Sequence, residues 1–249
     1  PTVLDFAFQG TVQGIVAEGN PARSLERLFT ADAVYKDGFK TAKELPTFLG
    51  NHDMGRFSGL IKKARPDISN EELTQRIILG HAIMMFSRGV PTIYYGDEQG
   101  FVSDGNDQDA RETMFPSVTE VYLDNDLAGT NATVADENFD RSHPIYRAIA
   151  EMAAIRKAEP ALRHGSQIVR HSDLEGGAFV MSRMAPDNSA EIIIAFNAED
   201  AARTLRFPVD GRANSWQNVA GECRGESQAP GVYEATVPAA GFVVCKAEF

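Results

Sequence analysis

Positive charge is scarce in this chain. Its 24 lysine and arginine residues are outnumbered by 35 aspartate and glutamate residues, giving a formal net charge of -11. Nucleic acids and anionic membranes are held mainly by lysine and arginine, so the charge disfavours both as partners. Long hydrophobic runs are missing too: the apolar stretch at residues 77–86 is interrupted by Gly80 and His81, and a membrane helix needs roughly 20 apolar residues. We therefore expect no nucleic acid and no membrane as partner, whereas a neutral polyhydroxylated substrate is compatible with the composition.

Cysteine is also rare. The two cysteines, Cys223 and Cys245, are too few for a disulfide scaffold and too isolated for a zinc site, which needs clustered ligands. They could pair with each other, but two cysteines among strand-like runs have no spacing signature. We expect free, partly buried thiols.

The first part of the chain alternates strand-like and helix-like segments. Short apolar runs at residues 2–8, 45–49 and 90–95 are typical of buried strands. Between the last two, Ser69 followed by Glu72 forms a capping box ahead of a mostly apolar helix. Strand, helix and strand in this order predict a parallel βαβ unit, in which functional groups collect at the carboxyl ends of the strands. Residues 101–141 are polar and irregular and predict long loops, and Ser142 is expected to cap the helix that follows.

After about Gly165 the pattern changes to short β-rich runs separated by turn residues. Seven runs without intervening helices predict an antiparallel sandwich, a second domain beginning near His164. The runs are residues 167–170, 178–182, 191–196, 204–209, 216–219, 232–237 and 242–245.

The most site-like segment is Asn51-His52-Asp53, which follows the strand-like run 45–49. An amide, an imidazole and a carboxylate at a strand end can hydrogen-bond several sugar hydroxyls at once. A strand-to-loop turn, in which Asn and Asp satisfy backbone groups, explains the same three residues equally well.

The surrounding sequence favours the first interpretation. LPTFLGNHDMGRF, GVPTIYYGDEQGF and DGNDQDARETMF follow one another in the order and approximate spacing of the α-amylase family of glycoside hydrolases. The first two resemble the seventh and eighth barrel strands of that family, and residues 2–8 are a weaker match to its sixth. The segment HPIYRAIAEMAAIRKAEPALRHG resembles the last barrel helix, and the β-rich tail resembles the C-terminal sandwich. The resemblance implies an α/β fold: residues 1–163 form the C-terminal part of a TIM (β/α)8 barrel, and residues 164–249 form an all-β antiparallel sandwich domain.

The resemblance also implies a retaining mechanism on α-1,4-glucans or related oligosaccharides, with a nucleophile and an acid about 5 Å apart. Asp53 matches the family's third carboxylate, which holds the sugar hydroxyls and favours the oxocarbenium-like transition state. His52 and Asn51 are expected to bind the substrate beside it. Asp107 and Arg111 match a D-x-D-x-R pattern that binds a sugar farther from the cut, although a loop Asp and Arg also form structural ion pairs.

The family's nucleophile, in a G-x-R-x-D segment, and its acid Glu both precede the NHD motif. Neither pattern occurs in the roughly fifty residues before Asp53, and a complete barrel needs about 250 residues. We therefore expect a fragment with one catalytic carboxylate of three, inactive alone. Calcium is often bound in the family, but its main ligands come from earlier segments, so we expect no cofactor or required metal in this chain. The alternative is a non-catalytic module of the same fold that binds carbohydrate or a protein partner.

Three further residues are expected to be structural. Arg56 is interpreted as a cation that anchors its loop, His81 as a hydrogen-bonded core histidine, and Trp216 as part of the sandwich core. The remaining histidines lack the clustered spacing of a metal site; they are His143, His164 and His171.

Overall fold

The computed structural model describes residues 3–103, 105, 107–123 and 125–249. Its first part is mainly helical. The elements are α1 (Phe6–Val16), α2 (Arg23–Thr30), α3 (Phe39–Ala42), β1 (Pro46–Thr47), α4 (Phe57–Ala64), α5 (Asn70–Phe86), β2 (Val90–Pro91), α6 (Glu120–Leu123), α7 (Pro144–Ala158) and α8 (Pro160–His164). Short 3-10 turns occur at Ala31–Val34, Asp97–Gln99 and Asp107–Ala110.

The prediction of a strand at residues 2–8 is wrong for residues 3–8. Thr2 lies outside the described residues. The chain enters α1 at Phe6, and the Asp5 carboxylate caps this helix by accepting a 2.9 Å hydrogen bond from the Phe8 amide. Phe8, Val12 and Ile15 then lie buried on one face of the helix. The first eight residues are too short a window to separate this helical period from a strand.

The predicted parallel βαβ unit is present. β1 pairs in parallel with β2, with Pro46 opposite Val90, and α4 and α5 form the connection. Both strands are shorter than predicted. The amides of Val90 and Thr92 donate to the carbonyls of Leu45 and Thr47, each at 2.8 Å, and the chain then turns toward the 3-10 turn at Asp97–Gln99.

The capping box predicted for α5 is half present, since Ser69 caps the helix as predicted. The Ser69 hydroxyl accepts a hydrogen bond from the Glu72 amide at 3.1 Å. The Glu72 carboxylate does not complete the box but accepts from Arg76 Nε at 2.7 Å. The helix is buried over most of its length, which makes it the centre of the larger hydrophobic core.

The cap predicted for α7 is wrong by one residue. His143 is the N-cap, and its Nδ1 accepts from the Ile145 amide at 3.2 Å. The Ser142 hydroxyl instead donates to Asp140 Oδ1 at 2.6 Å. Pro144 occupies the first helical position, where a missing amide hydrogen costs nothing.

All seven predicted β-runs form strands, and every pairing among these strands is antiparallel. They are β3 (Ser166–Ser172), β4 (Ala178–Met184), β5 (Ala190–Asn197), β6 (Arg203–Pro208), β7 (Gln217–Ala220), β8 (Val232–Val237) and β9 (Gly241–Glu248). One sheet has the order β3-β4-β5-β9-β7, and the other contains β6 and β8.

The five-stranded sheet is buried on both faces at its centre. Along β5, Ile192 and Ile194 pack into the core that contains α5, whereas Ile193 and Ala195 pack toward β6 and β8. Successive side chains of a strand point to opposite faces, so one strand serves two cores. The change from helices to strands follows α8, beside the predicted boundary at residue 164, which stays a prediction.

The prediction of free thiols is wrong, because Cys223 and Cys245 form a disulfide with a Cα–Cα distance of 5.8 Å. Asn218 lies opposite Cys245 in the β7–β9 pairing. The Asn218 side chain also accepts from the Cys223 amide at 3.0 Å, which folds the loop back onto β9. Sheet register creates this proximity, and spacing in the sequence does not reveal it.

A buried ion-pair network connects three segments of the helical part. Arg88, which follows α5, donates to both carboxylate oxygens of Asp32 at 2.8 and 2.7 Å and also to Asp5. All three side chains are almost completely buried. The network therefore holds the start of α1 and the turn after α2 against the end of α5.

None of the helices in the described part of the chain combines the length and apolar character needed to cross a membrane.

Replacing Arg88 should destabilise the fold strongly. Arg88→Met leaves the buried carboxylates of Asp5 and Asp32 without a cation, and we expect a loss of about 3–5 kcal/mol in the free energy of unfolding, measured by urea denaturation. Arg27→Met on the exposed face of α2 is the control, with a change of about 0.5 kcal/mol or less. Equal urea midpoints for the two variants would contradict the role of the network.

Reducing the disulfide should also lower stability. The bond joins residues separated by 22 positions, and the chain-entropy model gives a loss of about 3 kcal/mol. The measurement is the urea midpoint with and without dithiothreitol. A Cys223→Ala/Cys245→Ala variant should have a low midpoint that does not respond to the reductant. A wild-type midpoint unaffected by complete reduction would disprove the contribution.

Candidate active site

The NHD segment forms a tight turn beyond β1. Asn51 and Gly55 exchange backbone hydrogen bonds at 3.2 and 3.0 Å. The Asn51 side-chain oxygen accepts from the amides of Asp53 and Met54 at 2.8 and 2.9 Å. Gly55 has a φ of +96°, a conformation that favours glycine. The turn is thus held at its base by local hydrogen bonds, with His52 and Asp53 at its tip.

The turn explanation holds for Asn51, whereas His52 and Asp53 are left open to solvent. Asn51 satisfies backbone groups, as a structural turn requires, and keeps only its amide nitrogen for a ligand. His52 and Asp53 are exposed, with side-chain accessibilities of 57% and 71%, and His52 Nε2 lies 3.3 Å from Asp53 Oδ1. The predicted substrate contacts of all three residues stay predictions.

The second predicted group lies beside this turn. Arg111 follows the 3-10 turn Asp107–Ala110, and its Nη2 donates to Asp107 Oδ1 at 2.6 Å. The same Nη2 lies 4.0 Å from Asp53 Oδ1. Four of the five predicted site residues therefore lie together on one exposed surface; they are His52, Asp53, Asp107 and Arg111. The Asp107–Arg111 pair is solvent-exposed, and such pairs contribute about 1 kcal/mol or less, so a ligand can replace it at little cost.

The interpretation of Arg56 as a cation that anchors its loop is confirmed. Its side chain is completely buried. Nε and Nη2 donate to one oxygen of Glu112 at 3.0 and 2.9 Å, and Nη1 donates to Asp97 at 3.2 Å and to the Tyr95 carbonyl. The guanidinium also lies 4.4 Å from the Tyr94 ring centroid, a cation–π distance.

The pKa values of Arg56, Asp97 and Glu112 are shifted because one buried cation lies between two buried carboxylates. Burial raises the pKa of Asp97 to about 6, although Arg56 pulls it down. Burial likewise raises the pKa of Glu112 against the attraction of Arg56. For Arg56 itself burial lowers the pKa, but Asp97 and Glu112 together raise it above its ordinary value.

The sequence pattern alone singles out neither Asp97 nor Glu112. Asp97 lies in the Gly-Asp-Glu that closes the run 90–95, and Glu112 directly follows Arg111. The sequence points to them only indirectly, because an arginine placed between apolar segments needs a carboxylate when it is buried. Which carboxylate it meets depends on the three-dimensional arrangement of the loops.

The other predicted structural residues are confirmed. His81 is buried, its Nδ1 lies 2.8 Å from the Ile77 carbonyl, and burial lowers its pKa to about 4. Trp216 is buried, with its ring 4.6 Å from that of Tyr233. In the part of the chain that the structure describes, no three His, Cys, Asp or Glu side chains are grouped to hold a metal ion. The expectation that this chain requires no metal stays a prediction.

Comparison with known proteins places these features in a family. Residues 3–165 match the family model described as alpha amylase, catalytic domain. An alpha-amylase of Streptomyces lividans is 38% identical over 247 residues, which is 99% of this chain and 27% of that protein. A cyclomaltodextrin glucanotransferase of Bacillus sp. (strain 1-1) is 27% identical over 206 residues, 79% of this chain and 24% of that protein.

Solved structures share the fold. The alpha-amylase of Anoxybacillus superposes with a TM-score of 0.73 at 20% identity, over 98% of this chain and 46% of that one. The alpha-amylase of Geobacillus thermoleovorans, solved in complex with acarbose, gives 0.72 at 19% identity, over 99% and 48%. The chain spans about a quarter of the length of these two curated relatives and just under half of these two solved chains. Because the family model covers more than half of its residues, the chain belongs to the α-amylase family.

Proposed function

We propose that this chain is the C-terminal part of a retaining enzyme that hydrolyses or transfers α-glucosyl units of α-1,4-glucans or related oligosaccharides. In this proposal residues 1–163 complete a (β/α)8 barrel, and residues 164–249 are its C-terminal sandwich. The family match over residues 3–165 supports the assignment. So do the names of the relatives, which are an alpha-amylase and a cyclomaltodextrin glucanotransferase.

The observation that carries the proposal is the exposed cluster of His52, Asp53, Asp107 and Arg111. The turn around Asp53 is held by Asn51 and Gly55, so the fold does not need the Asp53 carboxylate for its own hydrogen bonds. The Asp107–Arg111 pair is also exposed. Polar groups fixed by their backbone and open to solvent can bind hydroxyl groups without first breaking the structure.

In the proposed reaction Asp53 accepts hydrogen bonds from the hydroxyls of the sugar whose bond is cleaved, and His52 donates to the same sugar. Such bonds accelerate the reaction when they strengthen as the ring distorts toward the oxocarbenium-like transition state. Arg111 and Asp107 bind a neighbouring sugar. The acarbose complex of the Geobacillus thermoleovorans alpha-amylase supports a ligand of this kind.

The nucleophile and the proton donor belong, in this proposal, to residues outside the chain. Asp53 is one of three carboxylates that the reaction needs, and it neither attacks the anomeric carbon nor protonates the leaving oxygen. A non-catalytic module would keep sugar binding but have no turnover in the complete protein.

Asp53→Asn in the complete protein should abolish turnover with little change in stability. Removal of a charge that stabilises the transition state costs roughly 10²–10³-fold or more in kcat. The measurement is reducing-sugar release from an α-1,4-glucan, together with the thermal midpoint. The exposed Asp67→Asn is the matched control and should keep wild-type rates. Full activity in Asp53→Asn would remove Asp53 from the mechanism, and a wild-type protein that binds the glucan without turnover would favour the binding module.

The purified 249-residue chain should release no reducing sugar from the same glucan, because two of the three carboxylates are missing. Circular dichroism establishes that the sample is folded before the assay. Sustained release that disappears in Asp53→Asn would show that the chain is sufficient for catalysis and would contradict the proposed division of the site.

A further inference from the structure

The contact between Asp53 and Arg111 does not hold itself in place. The two atoms are 4.0 Å apart, and both side chains are largely exposed. Exposed pairs of this kind are screened by water and contribute too little to fix two loops. Another interaction must therefore set the distance between the turn that carries Asp53 and the loop that carries Arg111.

The buried contact between Arg56 and Glu112 lies directly beside both residues. Arg56 follows Gly55, the last residue of the Asp53 turn, and Glu112 is the immediate neighbour of Arg111. Glu112 Oε2 accepts two hydrogen bonds from Arg56, and both side chains are completely buried. Each end of this contact is thus within three residues of a predicted sugar-binding group.

The Arg56 side chain has further contacts on its other sides. Its Nη1 donates to the Tyr95 carbonyl and to Asp97. The rings of Tyr94, Tyr95 and Phe101 lie 4.4, 5.2 and 5.1 Å from the guanidinium carbon. The Tyr94 hydroxyl donates to the Ala110 carbonyl at 2.9 Å. Tyr94, whose ring contacts Arg56, therefore also holds the loop just before Arg111.

We propose that Arg56, through its buried contact with Glu112, is a positioning residue that sets the separation of Asp53 and Arg111 in the active site. The inference rests on the proposed function for its effect on catalysis, but the geometry that it describes can be measured without substrate. Arginine suits this position because two neighbouring donors of its rigid guanidinium, Nε and Nη2, reach Glu112 Oε2 while Nη1 reaches Asp97, whereas lysine offers a single point charge.

The test compares two buried arginines in the complete protein. Arg56→Lys and Arg88→Lys each replace an arginine that donates two hydrogen bonds to a buried carboxylate, so both lower stability. Only Arg56 lies beside the site. At a temperature where both variants are folded, we expect Arg56→Lys to lower kcat/KM about tenfold to a hundredfold, since displacements near 1 Å have effects of this size. KM should rise and kcat should fall.

The split between KM and kcat separates positioning from mere loss of folded protein. A smaller folded fraction lowers the apparent kcat but leaves KM unchanged, and this is the result expected for Arg88→Lys. Glu112→Gln keeps the shape and an accepting oxygen at this position, so it should change KM less than Glu112→Ala does. An Arg56→Lys variant with wild-type KM, in an enzyme that does act on the glucan, would overturn the inference.

A second measurement uses the 249-residue chain without substrate. Amide hydrogen exchange of Asp53 and Met54, which donate to the Asn51 side chain, and of Arg111, which donates to the Gln108 carbonyl at 3.2 Å, reports the order of the two loops. We expect faster exchange at these amides in Arg56→Lys and unchanged exchange in Arg88→Lys. If the complete protein has no glucan activity but exchange accelerates, the proposed function fails and the positioning holds; unchanged exchange in Arg56→Lys would refute the positioning.

Discussion

The fold depends on arginine side chains that are buried and that each donate at least two hydrogen bonds to carboxylates or backbone carbonyls. The four largest fully buried side chains are arginines: Arg56, Arg76, Arg88 and Arg183. A buried guanidinium without partners is very costly, so each of these residues tolerates few arrangements of the segments around it. Apolar packing alone is less selective, because different apolar contacts have similar energies. The arginines therefore favour the arrangement in which these segments meet over arrangements that leave a guanidinium buried without partners.

The buried arginines find two kinds of acceptor, carboxylates and backbone carbonyls. Arg76 joins the centre of α5 to the carbonyls of Val16 and Ala198 and to the carboxylate of Asp200. Arg183 reaches the carbonyls of Phe86 and Gly165 instead, and burial lowers its pKa to about 9. The carbonyls at the end of a helix carry partial negative charge, so the end of α5 offers Arg183 an electrostatic partner. Both contacts connect α5 with the β-rich part of the chain.

The parts of this structure that were predictable from sequence are those fixed by local patterns. The cap of α5 at Ser69 and the seven β-runs follow from neighbouring residues alone. The disulfide and the carboxylate partners of Arg56 depend on which strands and loops become neighbours, so no local pattern could reveal them. The site occupies an intermediate position: Asp53 and Arg111 were identified through resemblance to the family, but their 4.0 Å approach depends on buried residues between them.

The buried cluster at the site contains more negative than positive charge, which bears on its behaviour in acid. Arg56 faces Asp97 and Glu112, and the neighbouring Glu98 further raises the pKa of Asp97. The folded-state pKa of Asp97, about 6, lies above its ordinary value of 3.8, so the folded state binds this proton more readily than the unfolded state. Lowering the pH through this interval therefore favours the folded form, and raising it makes the ionised Asp97 a cost to stability. Because Glu112 accepts two hydrogen bonds from Arg56 and Asp97 only one, protonation of Asp97 leaves Arg56 and Glu112 as a one-to-one pair. The contact between Arg56 and Glu112, which joins the two loops of the site, therefore persists when Asp97 is protonated.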